Sequence, residues 1–226
     1  MKGVVCVSGG VDSTTLLALA IQECTAVLGL SFRYGQKHTK EVEHARAICL
    51  HYGVPHTTLD VPHLFKGAGS TLVEHDKPIP HLSYAQLREA QGPSPTYVPF
   101  RNGTFLSLAT IVALTQGYDA VYIGAHADDA HNWAYPDCTP QFLGAMANAI
   151  YIGTYYKVSL RFPFAFYTKA DIIRLGAKLG VPWAYTWSCY EGRERHCGLC
   201  PACVSRKEAF RVAGILDPTV YEEEKA

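Results

Sequence analysis

The chain has 226 residues, with 20 Lys+Arg against 20 Asp+Glu and so a formal net charge of zero, and it is 48% hydrophobic and 18% charged. That composition builds a full core and excludes a disordered chain, while neutrality argues against a protein whose main work is gripping nucleic acid. No apolar run approaches the roughly 20 residues that span a bilayer, and the apolar start over residues 1–7 is too short for a signal-peptide core, so the expected location is the cytosol.

In chain order, residues 4–7 form a β-branched run that predicts a first strand. A glycine turn follows, then a helix over 13–21 and a second strand over 26–32. Val42, Ala45 and Ile48/Cys49 share one face of a helix over 41–52. Residues 56–60 predict a third strand, 102–115 a helix and 120–124 a fourth strand. This alternation predicts an α/β class: a Rossmann-like, mostly parallel sheet with helices on both faces and right-handed crossovers. Two segments break the rhythm. Residues 62–99 hold six prolines together with His63, His75 and His81; the segment is too long for an ordinary connection and reads as a lid or substrate loop. Residues 186–226 hold four of the eight cysteines and end in Glu222-Glu223-Glu224-Lys225-Ala226, which reads as a solvated end. The expected organisation is a nucleotide-binding domain over 1–185 with a metal-stapled segment over 186–226 packed on it.

The first strand runs into Ser8-Gly9-Gly10-Val11-Asp12-Ser13-Thr14-Thr15. Glycines let the backbone turn tightly and approach a ligand. N–H groups at a helix start favour an anion such as phosphate. Ser8, Ser13 and Thr14 add hydroxyl donors, and Asp12 beside phosphate calls for a bridging divalent cation such as Mg²⁺. The sequence fits neither the Walker A nor the dinucleotide glycine pattern. A plain strand–turn–helix connection is the alternative. The stretch resembles the S-G-G-x-D-S loop of the PP-loop ATP pyrophosphatases, a resemblance that implies cleavage of ATP between its α and β phosphates to adenylate a substrate.

Cys189-x7-Cys197-x2-Cys200-x2-Cys203 supplies four thiolates, enough to close a tetrahedral structural Zn²⁺ site with no open position. An iron–sulfur cluster is the competing reading, because the last three cysteines partly match ferredoxin spacing. His196 abuts Cys197 but is not needed as a ligand. Cys6, Cys24 and Cys49 read as small buried hydrophobes, and Cys138 as a pocket candidate. His126, Asp128, Asp129 and His131 follow the fourth strand at its carboxyl end, where open α/β sheets bind ligands. They lack a known ligand spacing and read as polar groups lining a pocket.

Further motifs occur in order: Thr96-Tyr97-Val98-Pro99-Phe100-Arg101-Asn102, Tyr135-Pro136-Asp137-Cys138, Thr168-Lys169-Ala170-Asp171-Ile172 and Trp187-Ser188-Cys189-Tyr190. Together with the glycine loop and the cysteine cluster, they resemble the 7-cyano-7-deazaguanine synthase family from residue 4 to about 214. The family commonly has Gly where this chain has Phe100, and its 126–133 stretch is usually poorer in histidine and aromatics. Phe100 is expected to reshape the pocket beside Arg101. The resemblance implies an ATP-dependent ligase that converts 7-carboxy-7-deazaguanine and ammonia to the 7-nitrile. It implies one structural Zn²⁺ per chain on Cys189, Cys197, Cys200 and Cys203, ATP with Mg²⁺ at residues 8–14, and a homodimer. In this reading Ser8, Gly9, Gly10, Val11, Asp12, Ser13 and Thr14 hold phosphate. Asp12, Ser13, Arg101 and Lys169 serve the reaction, with Arg101 and Lys169 neutralising phosphate or carboxylate. Arg101, Tyr135 and Asp137 contact the substrate, and Tyr135, Trp133 or Phe100 stacks on its ring. A helix cap or surface ion pair remains the alternative for Arg101 and Lys169, and an Asx turn for Asp137. No glutaminase motif is visible, so free ammonia is the implied nitrogen source; no membrane or direct nucleic-acid partner is expected. The rival readings are a PP-loop tRNA thiolase or another adenylating ligase, and a zinc-stapled nucleic-acid-binding module. Against the last, Arg193, Arg195, Arg206, Lys207 and Arg211 alternate with Glu191, Glu194 and Glu208, as on a solvated face.

Overall fold

The structure, a computed structural model, describes residues 1–61 and 64–222. The readings that touched Pro62, His63 and the tail from Glu223 onward lie outside these residues.

Five parallel strands make one sheet in the order β3-β2-β1-β4-β5. They are β1 (Lys2–Cys6), β2 (Ala26–Arg33), β3 (His56–Asp60), β4 (Ala120–Tyr122) and β5 (Ser159–Arg161). In register, Val4 lies opposite Leu28 of β2 and Val121 of β4. Successive strand residues point to opposite faces, and the core divides accordingly. Val4, Leu28, Leu30 and Val121 enter one cluster, whereas Val5, Val27, Ala120 and Tyr122 enter the other. Helices α1 (Val11–Glu23), α2 (Lys40–His51) and α7 (Lys169–Lys178) cover the second face through Leu16, Leu17, Ala45, Ile48 and Ile172. Helices α4 (Arg101–Gln116) and α6 (Pro140–Gly153) cover the first through Leu106, Ala109, Leu143 and Ile150. Between them in sequence come two short helices, α3 (Tyr84–Glu89) and α5 (Ala127–Ala130), and the last helix is α8 (Pro201–Ala213).

The four strands expected from the sequence are present within two residues at each end, and β5 and α6 are additional. Within the 62–99 segment, Phe65, Leu72, Ile79 and Val98 join the core, and Ser83 starts α3 with a capping box to Gln86. Helix α7 likewise starts on a Thr168–Asp171 capping box. Helix α8 packs on α7, and its Ala209 and Phe210 join Val11, Ala18, Ile173 and Trp183 in one buried cluster. Arg206 departs from the expected solvated face. It is fully buried, chelates Asp217 at 3.0–3.2 Å and donates to Thr186 Oγ1 at 2.8 Å. A buried guanidinium needs such a full set of acceptors to offset its lost hydration.

Candidate active site

Strand order reverses between β1 and β4, so their carboxyl ends frame the crevice where α/β sheets take ligands. The glycine loop leaves β1 there. Gly9 has φ +81°, and a Cβ on it would lie 2.4 Å from the Glu41 carbonyl oxygen and 2.8 Å from Ala45 N. Only glycine tolerates both that conformation and the backbone of α2 at that distance. Ser13 Oγ accepts from Ser8 N–H at 3.1 Å. No side chain caps the first turn of α1, which leaves its N-terminus, with the positive end of the helix dipole, facing the crevice for an anion. One expected donor is withdrawn: the Thr14 hydroxyl donates to Gly10 O at 2.7 Å and the residue is fully buried.

Asp12, in the first turn of α1, meets Lys169 from the start of α7, Nζ donating to Oδ2 at 2.6 Å. His126 Nε2 lies 3.6 Å from Asp12 Oδ2 and 3.4 Å from Asp129 Oδ2. Asp128 accepts from the Lys169 backbone N–H at 2.8 Å and from Arg88 at 3.4 Å. Burial alone would raise the Asp12 carboxyl, but Lys169 and His126 outweigh it and hold it well below the usual carboxylate range. Burial pulls Lys169 down, and Asp12 with Asp129 more than restores it. Asp12 and Lys169 therefore form an ion pair, and Asp12 Oδ1 is buried without a hydrogen-bond partner, a free ligand atom for a cation. The residues that read as lining a pocket do so in part: Asp128, Asp129 and His131 line a cavity, while His126 sits behind Asp12.

Two chambers meet here. An inner one of about 240 Å³ is lined by Ser8, Ser13, Phe32, Tyr34, Arg101 and Ile123. An outer one of about 460 Å³ lies between the 82–95 stretch and α8 and is lined by Tyr84, Arg88, Tyr135, Lys169 and Ser205. Ser8, Asp12, Glu41, Asp129 and Tyr190 line both. Arg101 Nη1 donates to Tyr34 OH at 3.2 Å, with its guanidinium over that ring at 5.6 Å. Burial opposes its charge, but Tyr34, Tyr190 and Asp137 keep it raised. Cys6, expected in the core, lines the inner chamber, and burial pushes its thiol up to about 12.

Three substrate contacts expected from the sequence are placed otherwise. Asp137 is 4% exposed and accepts from the Asn102 backbone N–H at 2.9 Å, so it caps α4 and lines neither chamber. Phe100 is 54% exposed and turns away from Arg101. Its ring lies over Gly103, where a Cβ would come within 2.4 Å, and edge-on to Phe142. It occupies φ +55°, a left-handed position that favours glycine. Trp133 is 61% exposed and lines neither chamber. Tyr135 does line the outer chamber, its hydroxyl tied to Ser94 and Thr96.

Cys189, Cys197, Cys200 and Cys203 are all buried, with their sulfur atoms within 4.8 Å of one another and the Cys197–Cys203 pair at 4.0 Å. A tetrahedron with metal–sulfur bonds of about 2.3 Å has edges of about 3.8 Å, so the four sulfurs fit one ion. Backbone N–H groups of Glu191 and Cys197 point at Cys189 Sγ, and those of Leu199 and Cys200 at Cys197 Sγ, the donors a thiolate needs. His196 is outside the group: its Nε2 accepts from Ser188 N–H at 3.0 Å, and burial lowers the ring to about 4.

Sequence reading missed Glu41, Arg88, Tyr34, Tyr190 and Trp187 as site residues. Tyr190 and Trp187 stood in a quoted motif, and their position beside the first cysteine was the available signal. Glu41, Tyr34 and Arg88 carry none, because only the tertiary fold brings them to the loop.

The chain matches the family profile described as "Queuosine biosynthesis protein QueC" over residues 2–214. A 7-cyano-7-deazaguanine synthase of Methanoregula boonei is 42% identical over 222 residues, 98% of this chain and 100% of the relative. One of Rhizobium rhizogenes is 41% identical over 226 residues, 99% of this chain and 93% of the relative. Among solved structures, the U34-tRNA thiolase NcsA from Methanococcus maripaludis, with its [4Fe-4S] cluster, superposes at TM-score 0.53 with 14% identity, over 94% of this chain and 65% of its own length. NMN synthetase from Francisella tularensis superposes at 0.50 with 14% identity, over 95% of this chain and 77% of its own. These two share the fold.

Proposed function

The chain belongs to the queuosine biosynthesis protein QueC family, and from that premise we propose that it is an ATP-consuming ligase that makes 7-cyano-7-deazaguanine from 7-carboxy-7-deazaguanine and ammonia. The observation that carries this reading is the shared wall of the two chambers: phosphate-loop residues Ser8 and Asp12 line both. An α-phosphate held there faces a second substrate directly, and proximity of this kind removes much of the barrier to bond formation.

A carboxylate oxygen is a poor leaving group. Its attack on the α-phosphorus releases pyrophosphate and leaves an acyl adenylate; ammonia then displaces AMP to give the amide. The amide oxygen attacks a second ATP, again releasing pyrophosphate, and loss of AMP and both amide protons leaves the nitrile. In this scheme the α1 N-terminus, Ser8, Gly9, Gly10, Val11 and Ser13 hold phosphate. Lys169, fixed by Asp12 at 2.6 Å, offsets the charge that develops on the leaving pyrophosphate. Asp12, through its unpartnered Oδ1, would hold Mg²⁺, which would supply positive charge to offset that of the phosphates. Arg101 anchors an anionic group in the inner chamber, and Tyr135 with Tyr190 flanks the ring of the deazapurine. The 82–95 stretch covers the outer chamber. The metal on the four cysteines is proposed to be one Zn²⁺ per chain, structural because all four positions are filled by protein. The proposed location is the cytoplasm, where thiols stay reduced; no helix among the described residues is long and apolar enough to cross a membrane.

Incubation with ATP, Mg²⁺, ammonium and 7-carboxy-7-deazaguanine tests the reading by mass spectrometry. The nitrile is the expected product, and its absence with a folded, metal-loaded protein overturns the assignment. Elemental analysis is expected to give one zinc per chain, and iron with visible absorbance would overturn the zinc assignment. A thiolase would require a reactive thiolate, and Cys138 is a poor one. It is 5% exposed, burial raises its thiol well above the ordinary value, and Asn102 Nδ2 lies 3.1 Å from its sulfur. Cys138→Ser is therefore expected to keep nitrile formation within about tenfold of wild type, since a lost hydrogen bond of this kind is worth about 0.5–1.5 kcal/mol. A fall of several hundredfold would favour thiolase-like chemistry.

A homodimer is also proposed. Helices α4 and α6 lie side by side and present exposed Ile111, Leu114, Tyr151 and Ile152, an apolar stripe of the kind that marks an interface. Ile111→Glu is expected to convert a wild-type dimer to a monomer by light scattering; an unchanged dimer would move the interface elsewhere.

A further inference from the structure

We propose that Trp187 is a positioning residue that couples the four-cysteine metal site to the phosphate loop, so that each raises the other's affinity for its ligand. The inference rests on the proposed reading of the loop as the nucleotide site. Trp187 is 6% exposed and bonded in both directions. Its backbone N–H donates to Gly9 O at 2.8 Å, and its indole Nε1–H donates to Cys189 O at 2.8 Å. One residue thus joins the glycine whose conformation shapes the loop to the first of the four metal-site cysteines.

Neither end has slack. Gly9 is pressed against the α2 backbone, with the Glu41 carbonyl where a Cβ would stand. A Cβ on Gly10 would lie 3.6 Å from the Trp187 carbonyl. The indole itself is walled in: the His196 ring is 4.2 Å from it centroid to centroid, His44 5.3 Å, and Lys40 Nζ lies 4.7 Å over the ring. The residues on either side are tethered to buried Arg206, which donates to Thr186 Oγ1 at 2.8 Å and Ser188 Oγ at 3.2 Å. Displacing Trp187 therefore means displacing the loop, the cysteine or both. A metal that fixes Cys189 also fixes the carbonyl that orients the indole, and through it the N–H that holds Gly9. Because binding linkage is reciprocal, nucleotide on the loop must tighten the metal by the same factor.

Trp187→Phe keeps a ring in the cage and all four cysteines but removes the indole N–H. On the full metal-loaded chain, calorimetry with Mg²⁺ and a non-hydrolysable ATP analogue is expected to show binding about three- to tenfold weaker than wild type, the worth of one hydrogen bond. Zinc content is expected to equal that of wild type. Trp133→Phe, a similar truncation at an exposed tryptophan that lines neither chamber, is expected to bind as wild type. The decisive measurement is zinc affinity by equilibrium competition with a chromogenic chelator, with and without saturating analogue. Wild type is expected to hold zinc about three- to tenfold more tightly with analogue bound, and Trp187→Phe to show little change. Equal tightening in both proteins, or none in wild type, overturns the coupling, and loss of zinc from Trp187→Phe would assign Trp187 to the stability of the metal site alone. Failure of wild type to bind the analogue at all would instead overturn the reading of the loop.

Discussion

Lys169→Met is expected to slow ATP-dependent nitrile formation by about 10²–10³, the usual loss when one preorganised donor to developing charge is removed from an enclosed site. The lysine is 13% exposed and lies 2.6 Å from Asp12, with Asp129 adding to the field that keeps it charged. Its backbone role survives the substitution, because the α7 start is held by Thr168 and Asp171 and the Asp128 contact is to the main-chain N–H. The change therefore tests charge and not fold. Pyrophosphate release at saturating substrates is the measurement. A rate within tenfold of wild type would show that the α1 N-terminus and metal ion carry the step without Lys169. Lys169→Arg keeps the charge but not the compact ammonium; it is expected to recover only part of the rate, because a fork cannot sit at 2.6 Å from Asp12 in the same enclosure.

Cys200→Ser is expected to remove the metal and to cost on the order of 4 kcal/mol, in the range that separates loss of a metal site from ordinary substitutions. For a domain of this size that is a fall of about 8–16 °C in Tm. The size follows from location. Cys200 is fully buried, stands at the N-terminus of α8, and lies within 4.8 Å of three other buried sulfurs. Without the ion those sulfurs retain only weak N–H donors. Calorimetry and elemental analysis together check the outcome. Retention of metal with a change of less than about 3 °C would show that three ligands suffice.

Much of the fold was legible because its strands are short apolar runs bounded by glycine, proline or helix signals. The segment over 56–60 matches β3 end for end. Strand β5 was not legible: Ser159–Arg161 offers three residues with only Leu160 buried, too few for a period. Helix α6 was hidden behind the Tyr135–Cys138 motif, although Pro140 at its first position and Thr139 as its cap are ordinary start signals. Of the candidate site, the phosphate loop and the four cysteines were readable because each is contiguous in sequence. Lys169 was readable as a cation, whereas its pairing with Asp12 lay outside any local pattern. Asp137 misled because an aspartate after proline looks available, while in the fold its carboxylate goes to the Asn102 N–H. Phe100 misled in the opposite sense, since a large ring beside Arg101 suggested a narrowed pocket and the left-handed backbone sends it outward.

The packing of α1 into one cluster with α7 and α8 has a consequence for biosynthesis. Val11 and Ala18 share a buried cluster with Ile173 of α7 and with Ala209 and Phe210 of α8, so the first helix to leave the ribosome is completed by the last ones described. β1 pairs with β4, with Gly3 opposite Ala120 in the middle of the chain. Closing such distant contacts is slow, because chain entropy must be lost before the contacts can compensate. The nascent chain therefore carries the finished loop sequence long before it has a finished site. Until α7 and α8 have been synthesised, the apolar flank of α1 is a natural landing point for chaperones.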